Sequence, residues 1–264
     1  MPDTGEVISI DLNADLAESD QLMASDLAIL DVVTSASLAC GFHAGSASAM
    51  RAAAEACLER GVVIGAHVSY RDRAGFGRRR IDVALDALAT DVGEQWAALA
   101  SEATSVGAEV TYLKAHGALY HAVASDAEVA AAVLGAVGPL CRTIVLPPNS
   151  HAVEAATHAG LRVVLEGFPD RHYTPTGSLA GRDQPGALVH SADDVGERAR
   201  SMALTSGVAA VDGTWVPLPV ETLCIHGDHP EAPDRARAVR SALESAGVRV
   251  VAFDASGLHT NRPS

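Results

Sequence analysis

Aromatic residues are scarce in this 264-residue chain, at 4% of the sequence, whereas hydrophobic residues make up 48%. The core must therefore consist mainly of small aliphatic side chains such as Ala, Val and Leu. Such side chains suit helices packed closely on a parallel sheet, and the apolar fraction suffices for a sizeable core at this length. No linker or low-complexity tract divides the chain, which predicts a single domain spanning residues 1–264.

Basic residues are also few, since 19 Lys and Arg stand against 33 Asp and Glu, a formal charge of −14. Binding a nucleic-acid backbone needs concentrated positive charge, so the composition argues against that partner. No stretch of 18 apolar residues occurs and the first residues lack a signal-peptide pattern, which argues against a membrane partner. The four cysteines lie far apart without a C-x-x-C pair, so we expect buried thiols in a reducing, cytoplasmic protein.

Short apolar runs alternate with longer amphipathic stretches, a pattern typical of α/β proteins with strand–helix repeats around a parallel sheet. Seven or eight repeats in one chain favour a closed β/α barrel, and an open doubly wound sheet is the alternative. The predicted strands are 7–12, 32–39, 62–66, 109–114, 143–146, 162–166, 222–225 and an eighth at 248–253. The predicted helices are 46–60, 82–106 with a break near Gly93, 126–137, 149–159, 192–205 and 230–246.

Acidic, amide, histidine and lysine residues occur where six of the predicted strands end, in DLNADLAES, ACGFHAGS, IGAHVSYRD, YLKAHGALYH, LEGFPDRHY and CIHGDHP. In a parallel barrel the carboxyl ends of all strands open on one face, so these groups should meet around one cavity. The candidate site residues are Asp11, Asn13, Asp15, Glu18, His43, His67, Lys114, His116, Glu166, Arg171, His226 and Asp228.

The residues next to these candidates indicate which side chains point into the barrel. Asp11 alternates with Ile10 and Leu12, so inside a barrel it would be a buried carboxylate that needs a partner. Lys114 and His116 also alternate, which predicts that both face the cavity. A lone histidine in an apolar run usually has a structural role. Histidines at four strand ends are not easily explained by a structural role alone. The histidines without this context are interpreted as surface or helix residues: His121, His151, His158, His172, His190, His229 and His259.

Three kinds of site agree with these residues. Asp15 with two of His43, His67 and His116 would suit zinc or a similar divalent ion that activates water. A carboxylate–histidine pair could instead move protons without a metal, while Lys114 stabilises an oxyanion. A binding pocket without chemistry is the third interpretation, and the density of titratable groups speaks against it.

The predicted loop at residues 69–80 carries five of the 19 basic residues, Arg71, Arg73, Arg78, Arg79 and Arg80. It is either a solvated loop or a mobile clamp for a carboxylate or phosphate, because guanidinium groups bind both in a bidentate manner. The sequence has no G-x-x-x-x-G-K-[ST] motif, so it shows no Walker-type nucleotide site of its own.

Together, the segments DLNADLAES, SLACGFHAGS, IGAHVSYRDRAGFGRR, LKAHGALY, EGFPDRHYTPTGSLAGRDQPGALV and CIHGDHP resemble the LamB/YcsF family over about residues 8–246. The resemblance implies a distorted seven-stranded β/α barrel like those of polysaccharide deacetylases and related glycoside hydrolases. It also implies cleavage of 5-oxo-L-proline to L-glutamate with ATP as co-substrate, together with 5-oxoprolinase subunits B and C. The alternatives are a metal-dependent carbohydrate deacetylase or hydrolase on the same fold, and a non-catalytic partner protein within the complex.

With that resemblance, the candidate residues receive expected roles. The departures from the family pattern are local: Ala17 replaces glycine in DLGES, Ser46 replaces aspartate in GFHAGD, and Ala115 replaces proline in KPHGALY. The expected catalytic residues are Asp15, Glu18, His43, His67, Lys114, His116 and Asp228. The expected substrate-binding residues are Asp11, Asn13, Arg71, Arg78, Glu166, Arg171 and His226. A divalent metal, if one binds, is expected at Asp15, His67 and His116.

Overall fold

The computed structural model describes residues 7–181 and 186–255. Within these residues the strands β1–β10 are Ser9–Leu16, Ser35–Ala39, Val63–Val68, Val110–Ala115, Thr143–Leu146, Arg162–Gly167, Gly207–Ala209, Trp215–Pro217, Thr222–His226 and Arg249–Val250. The helices α1–α8 are Ala24–Leu30, Ala47–Arg60, Leu85–Ser105, Gly117–Ser125, Ala127–Val137, Ala152–His158, Ala192–Thr205 and Ala232–Ser245.

Seven parallel strands close into a barrel in the order β1-β2-β3-β4-β5-β6-β9, and β9 pairs with β1 to complete it. The closed β/α barrel is therefore confirmed and the open sheet is wrong. Closure depends on β1, because five of its residues pair in register with β9, from Asp11 with Thr222 to Asp15 with His226. The seam between β6 and β9 is short, with only two paired positions, which distorts the barrel.

Strand β1 is buried on both faces, which explains its mixed sequence. Ile10, Leu12, Ala14 and Leu16 belong to the apolar core, while Asp11, Asn13 and Asp15 alternate with them and are equally buried. Their hydrogen bonds reach side chains on other barrel strands, so this polar face is the barrel interior. We predicted an end at residue 12, and the strand continues to Leu16 because the period-two pattern continues through the polar residues.

Several predicted elements differ from the structure. Helix α3 runs unbroken through Gly93, since a buried face that includes Leu88, Val92, Trp96 and Leu99 outweighs the cost of one glycine. The predicted strand at 248–253 shrinks to β10, which pairs only with the start of β1 and lies outside the barrel. Helices α1 and α4 and the antiparallel β7–β8 hairpin were not predicted.

The free cysteines and the hydrophobicity of the helices are consistent with the expectations from the sequence composition. All four cysteines are free, and burial raises the pKa of Cys40 and of Cys57 to about 12, so these thiols behave as small apolar side chains. None of the helices in the described ranges combines the length and apolarity that a membrane crossing requires.

Asp11 lies inside the barrel near the amino ends of the strands, as a carboxylate with three hydroxyl partners. It accepts hydrogen bonds from Thr34 at 2.6 Å, from Ser35 at 2.8 Å and from Thr222. The predicted need for a partner is thus met. Burial raises the pKa of Asp11 from 3.8 to about 6 despite these hydroxyls, so the folded protein holds this proton more tightly than the unfolded chain.

This raised pKa gives a pH-dependent stability. Wild-type stability should fall as the pH rises through the folded pKa, whereas Asp11→Asn has no titrating group there. Between about pH 4.5 and about pH 7.5 the variant should gain about 2 kcal/mol of unfolding free energy relative to wild type. Urea unfolding at both pH values measures the difference, and a difference independent of pH would contradict the buried, raised-pKa carboxylate.

Candidate active site

A cavity of about 420 Å³ lies at the carboxyl ends of the barrel strands. Polar groups from β1, β3, β4 and β9 line it, as do residues of α4 and of the segment after β6. Among the predicted site residues, those that line this cavity are Asp15, His67, Arg78, Lys114, His116, Arg171 and His226.

Lys114 lies at the centre of the polar interior, and only 2% of it is exposed. Its ammonium group is 2.8 Å from Asp15 Oδ1 and 2.6 Å from Glu166 Oε1, and it also donates to Cys224 Sγ at 3.2 Å. Burial alone would lower the pKa of Lys114, but the surrounding groups, led by Asp15, hold it well above its ordinary value. Lys114 is therefore a fixed cation held between two carboxylates and facing the cavity.

Asp15 connects this lysine to the histidines. Its other oxygen, Oδ2, lies 3.4 Å from His67 Nε2. Burial would raise the pKa of Asp15, but His67 and Lys114 hold it well below its ordinary value. Asp15 is thus an ionised carboxylate with a cation on one side and an imidazole on the other.

Glu18, His43, His67 and His116 form what we call the Glu–His cluster. One ligand atom from each lies within 4.8 Å of all the others. The His67 Nε2–His116 Nδ1 distance is 3.0 Å, and Glu18 Oε1 lies 3.4 Å from His43 Nε2 and 3.5 Å from His116 Nδ1. The rings of His43 and His116 stack at 3.9 Å with an interplanar angle of 6°.

The protonation of the Glu–His cluster suits a ligand set. Burial, reinforced by the neighbouring imidazole of His67, lowers the pKa of His43 and of His116 well below the ordinary value, so both rings are neutral. Burial raises the pKa of Glu18 to about 7. Within the described residues, neither Glu18 Oε1 nor His43 Nε2 has a hydrogen-bond partner. The cluster could therefore hold a metal ion.

The loop at residues 69–80, which we call the arginine loop, covers the Glu–His cluster at close range. His116 Nε2 lies 2.9 Å from the carbonyl oxygen of Phe76, and His43 Nδ1 lies 3.0 Å from Ser69 Oγ. Gly77 has a φ of +64°, and a Cβ there would lie 2.8 Å from the His116 ring and 2.9 Å from His43. Only glycine fits this approach, so the loop backbone forms the roof of the cluster.

Each arginine of this loop is paired with a carboxylate. Arg71 contacts Asp91 and Glu94 on α3 and stacks over Phe42, so it points away from the cavity. Arg78 pairs with Asp228 across the barrel mouth and lines the cavity, and so does Arg80, which pairs with Asp126. Arg73 pairs with Asp20, and Arg79 with Asp72.

Comparison with known proteins agrees with this architecture. The LamB/YcsF family model matches residues 10–257. The chain is 47% identical over 248 residues to a Paracidovorax citrulli protein named as the A subunit of 5-oxoprolinase, an alignment that covers 92% of this chain and 99% of the relative. This chain belongs to the LamB/YcsF family.

Two solved structures have a fold similar to that of this chain. The crystal structure of a lactam utilization protein from Thermus thermophilus has a TM-score of 0.87 and 41% identity, with 93% of this chain and 100% of that one covered. A family 4 carbohydrate esterase from Streptomyces lividans has a TM-score of 0.51 at 9% identity, with coverage of 94% and 93%. The second likeness is one of fold alone.

Two departures from the LamB/YcsF pattern lie at defined points of the backbone. Ala17 adopts a φ of 59°, in the left-handed region, which explains the glycine of the family pattern, and nothing in the structure explains its replacement by alanine. Ser46 caps α2 by accepting a hydrogen bond from the backbone N–H of Ala49 at 3.1 Å, a role that aspartate also fills. Neither change removes a polar group from the cavity.

Some predicted substrate-binding residues lie outside the cavity lining. Asp11 and Asn13 occupy the barrel interior below it, and Asn13 donates to Glu166 Oε1 at 3.1 Å and to Thr222 Oγ1 at 2.6 Å. Glu166 is buried against Lys114 and lines a smaller adjoining cavity of about 60 Å³. Asp11, Asn13 and Glu166 support the site from inside the barrel. Arg71 lies outside the cavity because it forms ion pairs with residues of α3.

Other cavity residues were missed by the sequence reasoning. His121 lines both cavities from α4, although it was interpreted as an ordinary helix residue, and Tyr120 and Phe168 lie beside it. The unpredicted helix α4 directly follows His116 and brings Tyr120 and His121 to the cavity, whereas Phe168 directly follows β6. The i, i+4 spacing of His116 and Tyr120 is the signal that could have found Tyr120.

Proposed function

We propose that this chain is the lactam-hydrolysing A subunit of an ATP-dependent 5-oxoprolinase, which cleaves 5-oxo-L-proline to L-glutamate with ATP hydrolysis. The observation that carries the proposal is the cavity in which Lys114, paired with Asp15, faces the same space as His67 and His116 of the Glu–His cluster. Relatives named as A subunits of 5-oxoprolinase support it at 42–49% identity. In this proposal the whole chain acts as one cytoplasmic catalytic domain, with subunits B and C as partners.

The residues have the properties that lactam opening needs. A lactam is an amide, so its cleavage needs a base for water, a positive group at the carbonyl oxygen and a proton for the leaving nitrogen. In the proposal, Asp15 takes the proton of water and Lys114 stabilises the oxygen that becomes negative. Arg78 and Arg171 bind the substrate carboxylate from the cavity wall, and Asp228 releases Arg78 when substrate enters.

Reconstitution tests this function. Purified chain mixed with 5-oxoprolinase subunits B and C should release glutamate and inorganic phosphate from 5-oxo-L-proline and ATP. Omission of this chain should abolish glutamate release. Equal glutamate release with and without the chain would contradict the proposal, and glutamate release without ATP consumption would contradict the coupling.

A divalent metal cofactor is a further part of the proposal. In a tetrahedral zinc site with bonds of 2.0–2.1 Å, the ligand atoms lie about 3.3 Å apart, and three of the pairs in the Glu–His cluster lie 3.0–3.5 Å apart. The unpartnered Glu18 Oε1 and His43 Nε2 fit such an ion. A bound ion would polarise a carbonyl or activate water. The cluster shares His67 and His116 with the predicted metal set, but Asp15 is paired with Lys114.

His43→Ala separates a metal ligand from a structural histidine. Loss of one of four ligands should weaken zinc binding at least about tenfold, as changes in metal-site shells do. Isothermal titration of metal-free protein with zinc measures this affinity. His121→Ala is the matched control, because His121 lines the cavity but lies outside the Glu–His cluster. Equal zinc affinity in wild type and His43→Ala would contradict a metal site at the cluster.

A metal-dependent carbohydrate deacetylase or hydrolase is the second candidate function, and the Glu–His cluster is the observation that favours it. Lactam cleavage and deacetylation both hydrolyse an amide or ester bond. The same groups in the cavity would therefore serve either reaction. Release of acetate from N-acetylated oligosaccharides by the zinc-loaded chain alone would support this candidate. Glutamate release only in the presence of the partner subunits would support the first.

A further inference from the structure

A second carboxylate–histidine pair, Asp170 and His226, lies at the cavity wall and is separate from the Glu–His cluster. His226 is the last residue of β9 and lines the cavity, whereas Asp170 follows β6 and is buried. His226 Nδ1 lies 2.7 Å from Asp170 Oδ2, and the backbone N–H of His226 points to the same oxygen at 3.5 Å. One carboxylate oxygen therefore orients both the ring and the backbone of His226.

The segment that carries Asp170 is held firmly. The guanidinium group of Arg198 donates to the carbonyl oxygens of Pro169 at 3.1 Å and of Arg171 at 2.8 Å, on either side of Asp170. The backbone N–H of Val189 donates to the Asp170 carbonyl oxygen at 2.9 Å. The backbone around Asp170 is thus held at three consecutive carbonyl oxygens, which positions its carboxylate beside His226.

This arrangement determines which ring nitrogen of His226 is available. Burial would raise the pKa of Asp170, but His226 keeps it below its ordinary value, so Asp170 is ionised and accepts the Nδ1 proton. Nε2 is then the nitrogen left for the cavity. Phe168 stacks on the His226 ring at 5.2 Å with an interplanar angle of 23°, which restricts rotation of the ring.

His226 also neighbours the other reactive groups. It pairs in register with Asp15 on the adjacent strand, and Phe168 lies between it and Lys114, whose ammonium group is 5.4 Å from the Phe168 ring centre. The cavity therefore contains two carboxylate–histidine pairs, Asp15 with His67 and Asp170 with His226, with Lys114 nearby. Amide hydrolysis needs two proton transfers, one at water and one at the leaving nitrogen.

We propose that His226, positioned by Asp170, is the catalytic acid that protonates the leaving lactam nitrogen. This inference rests on the proposed function. As the oxygen of water bonds to the lactam carbonyl carbon, Asp15 takes one water proton. As the ring C–N bond breaks, its electron pair stays on nitrogen and accepts the Nε2 proton of His226, which enters this step protonated on both ring nitrogens. Exchange with solvent restores both pairs, so one water and one lactam give one amino acid.

The test uses the reconstituted complex with wild type, His226→Ala and Asp170→Asn. His226→Ala should lower kcat by about 10²-fold or more, while KM stays within about threefold, because the acid acts only in the transition state. Imidazole in the assay should restore part of the lost kcat in His226→Ala. Asp170→Asn should lower kcat and leave KM unchanged, without imidazole rescue, because the histidine ring is still present but has lost the carboxylate that orients it and stabilises its doubly protonated form.

His229→Ala is the matched control. His229 lies in the same segment after β9, is exposed and faces Glu231 at 3.9 Å, so its loss should leave kcat unchanged. A raised KM with unchanged kcat in His226→Ala would overturn the inference in favour of simple substrate binding. A lowered kcat without imidazole rescue would overturn it in favour of a structural role. An active wild-type complex with fully active variants refutes this inference alone, whereas an inactive wild-type complex refutes the proposed function together with it.

Discussion

Lys114→Met should destabilise the protein by about 3–5 kcal/mol and abolish glutamate release by the complex. The substitution keeps the unbranched stem of the side chain but leaves Asp15 and Glu166, both buried, without the cation that lies between them at 2.8 and 2.6 Å. Two buried carboxylates that have lost their cation cost far more than the missing hydrogen bonds alone. Urea unfolding at neutral pH measures the stability, and the reconstitution assay measures the activity.

The double variant Lys114→Met with Glu166→Gln is the control for this explanation. It removes the cation together with one carboxylate, so it should recover part of the stability that Lys114→Met loses, while activity stays absent. If the single and double variants were equally unstable, lost packing rather than unpaired charge would be the cause. If Lys114→Met were as stable as wild type, the ion pairs would not exist as described.

Asp15→Asn should lower kcat of the complex by about 10²–10⁴-fold, with a smaller loss of stability than Lys114→Met because Glu166 still pairs with Lys114. The amide can still accept a hydrogen bond from Lys114, but it cannot accept a proton from water. The fold should therefore survive while proton transfer fails. Steady-state kinetics of glutamate release give kcat and KM, and thermal unfolding verifies the fold.

Asp11→Asn is the matched control for Asp15→Asn. Both carboxylates lie on the inward face of β1, but Asp11 is bound by three hydroxyls and does not line the cavity. Its substitution should leave kcat and KM close to wild type. Equal losses of kcat in the two variants would indicate that any change in the polar interior disrupts the barrel, and would argue against a specific role for Asp15.

The sequence by itself determined the barrel and the face that holds the site. Alternating apolar runs and amphipathic stretches specify parallel strands covered by helices, and parallel strands bring their carboxyl ends together. Local patterns also specified the cap of α5, where Asp126 accepts hydrogen bonds from the backbone N–H groups of Glu128 and Val129. These features depend on neighbours along the chain, so one sequence suffices to predict them.

The tertiary structure alone decided how the polar residues divide into pairs. From the sequence, Lys114 could have paired with any nearby carboxylate. Only the closure of β9 onto β1 brings Asp15, Glu166 and Cys224 around its ammonium group. These partners lie 99, 52 and 110 residues away from it in the sequence. Strand register sets such distances, and a single sequence carries no measure of register between distant strands.

The same limit explains the arginine loop and the histidines. Five arginines in ten residues were compatible with a solvated loop or with a mobile clamp; in the structure each is paired with an acidic residue, and only Arg78 and Arg80 reach the cavity. The histidines at the strand ends were recognised as a group, but packing divides them: His43, His67 and His116 meet Glu18, whereas His226 meets Asp170. Residue type and strand position were readable from the sequence, because they are local. The choice of partner required the closed barrel, because it depends on distances of a few ångströms between elements far apart in the chain.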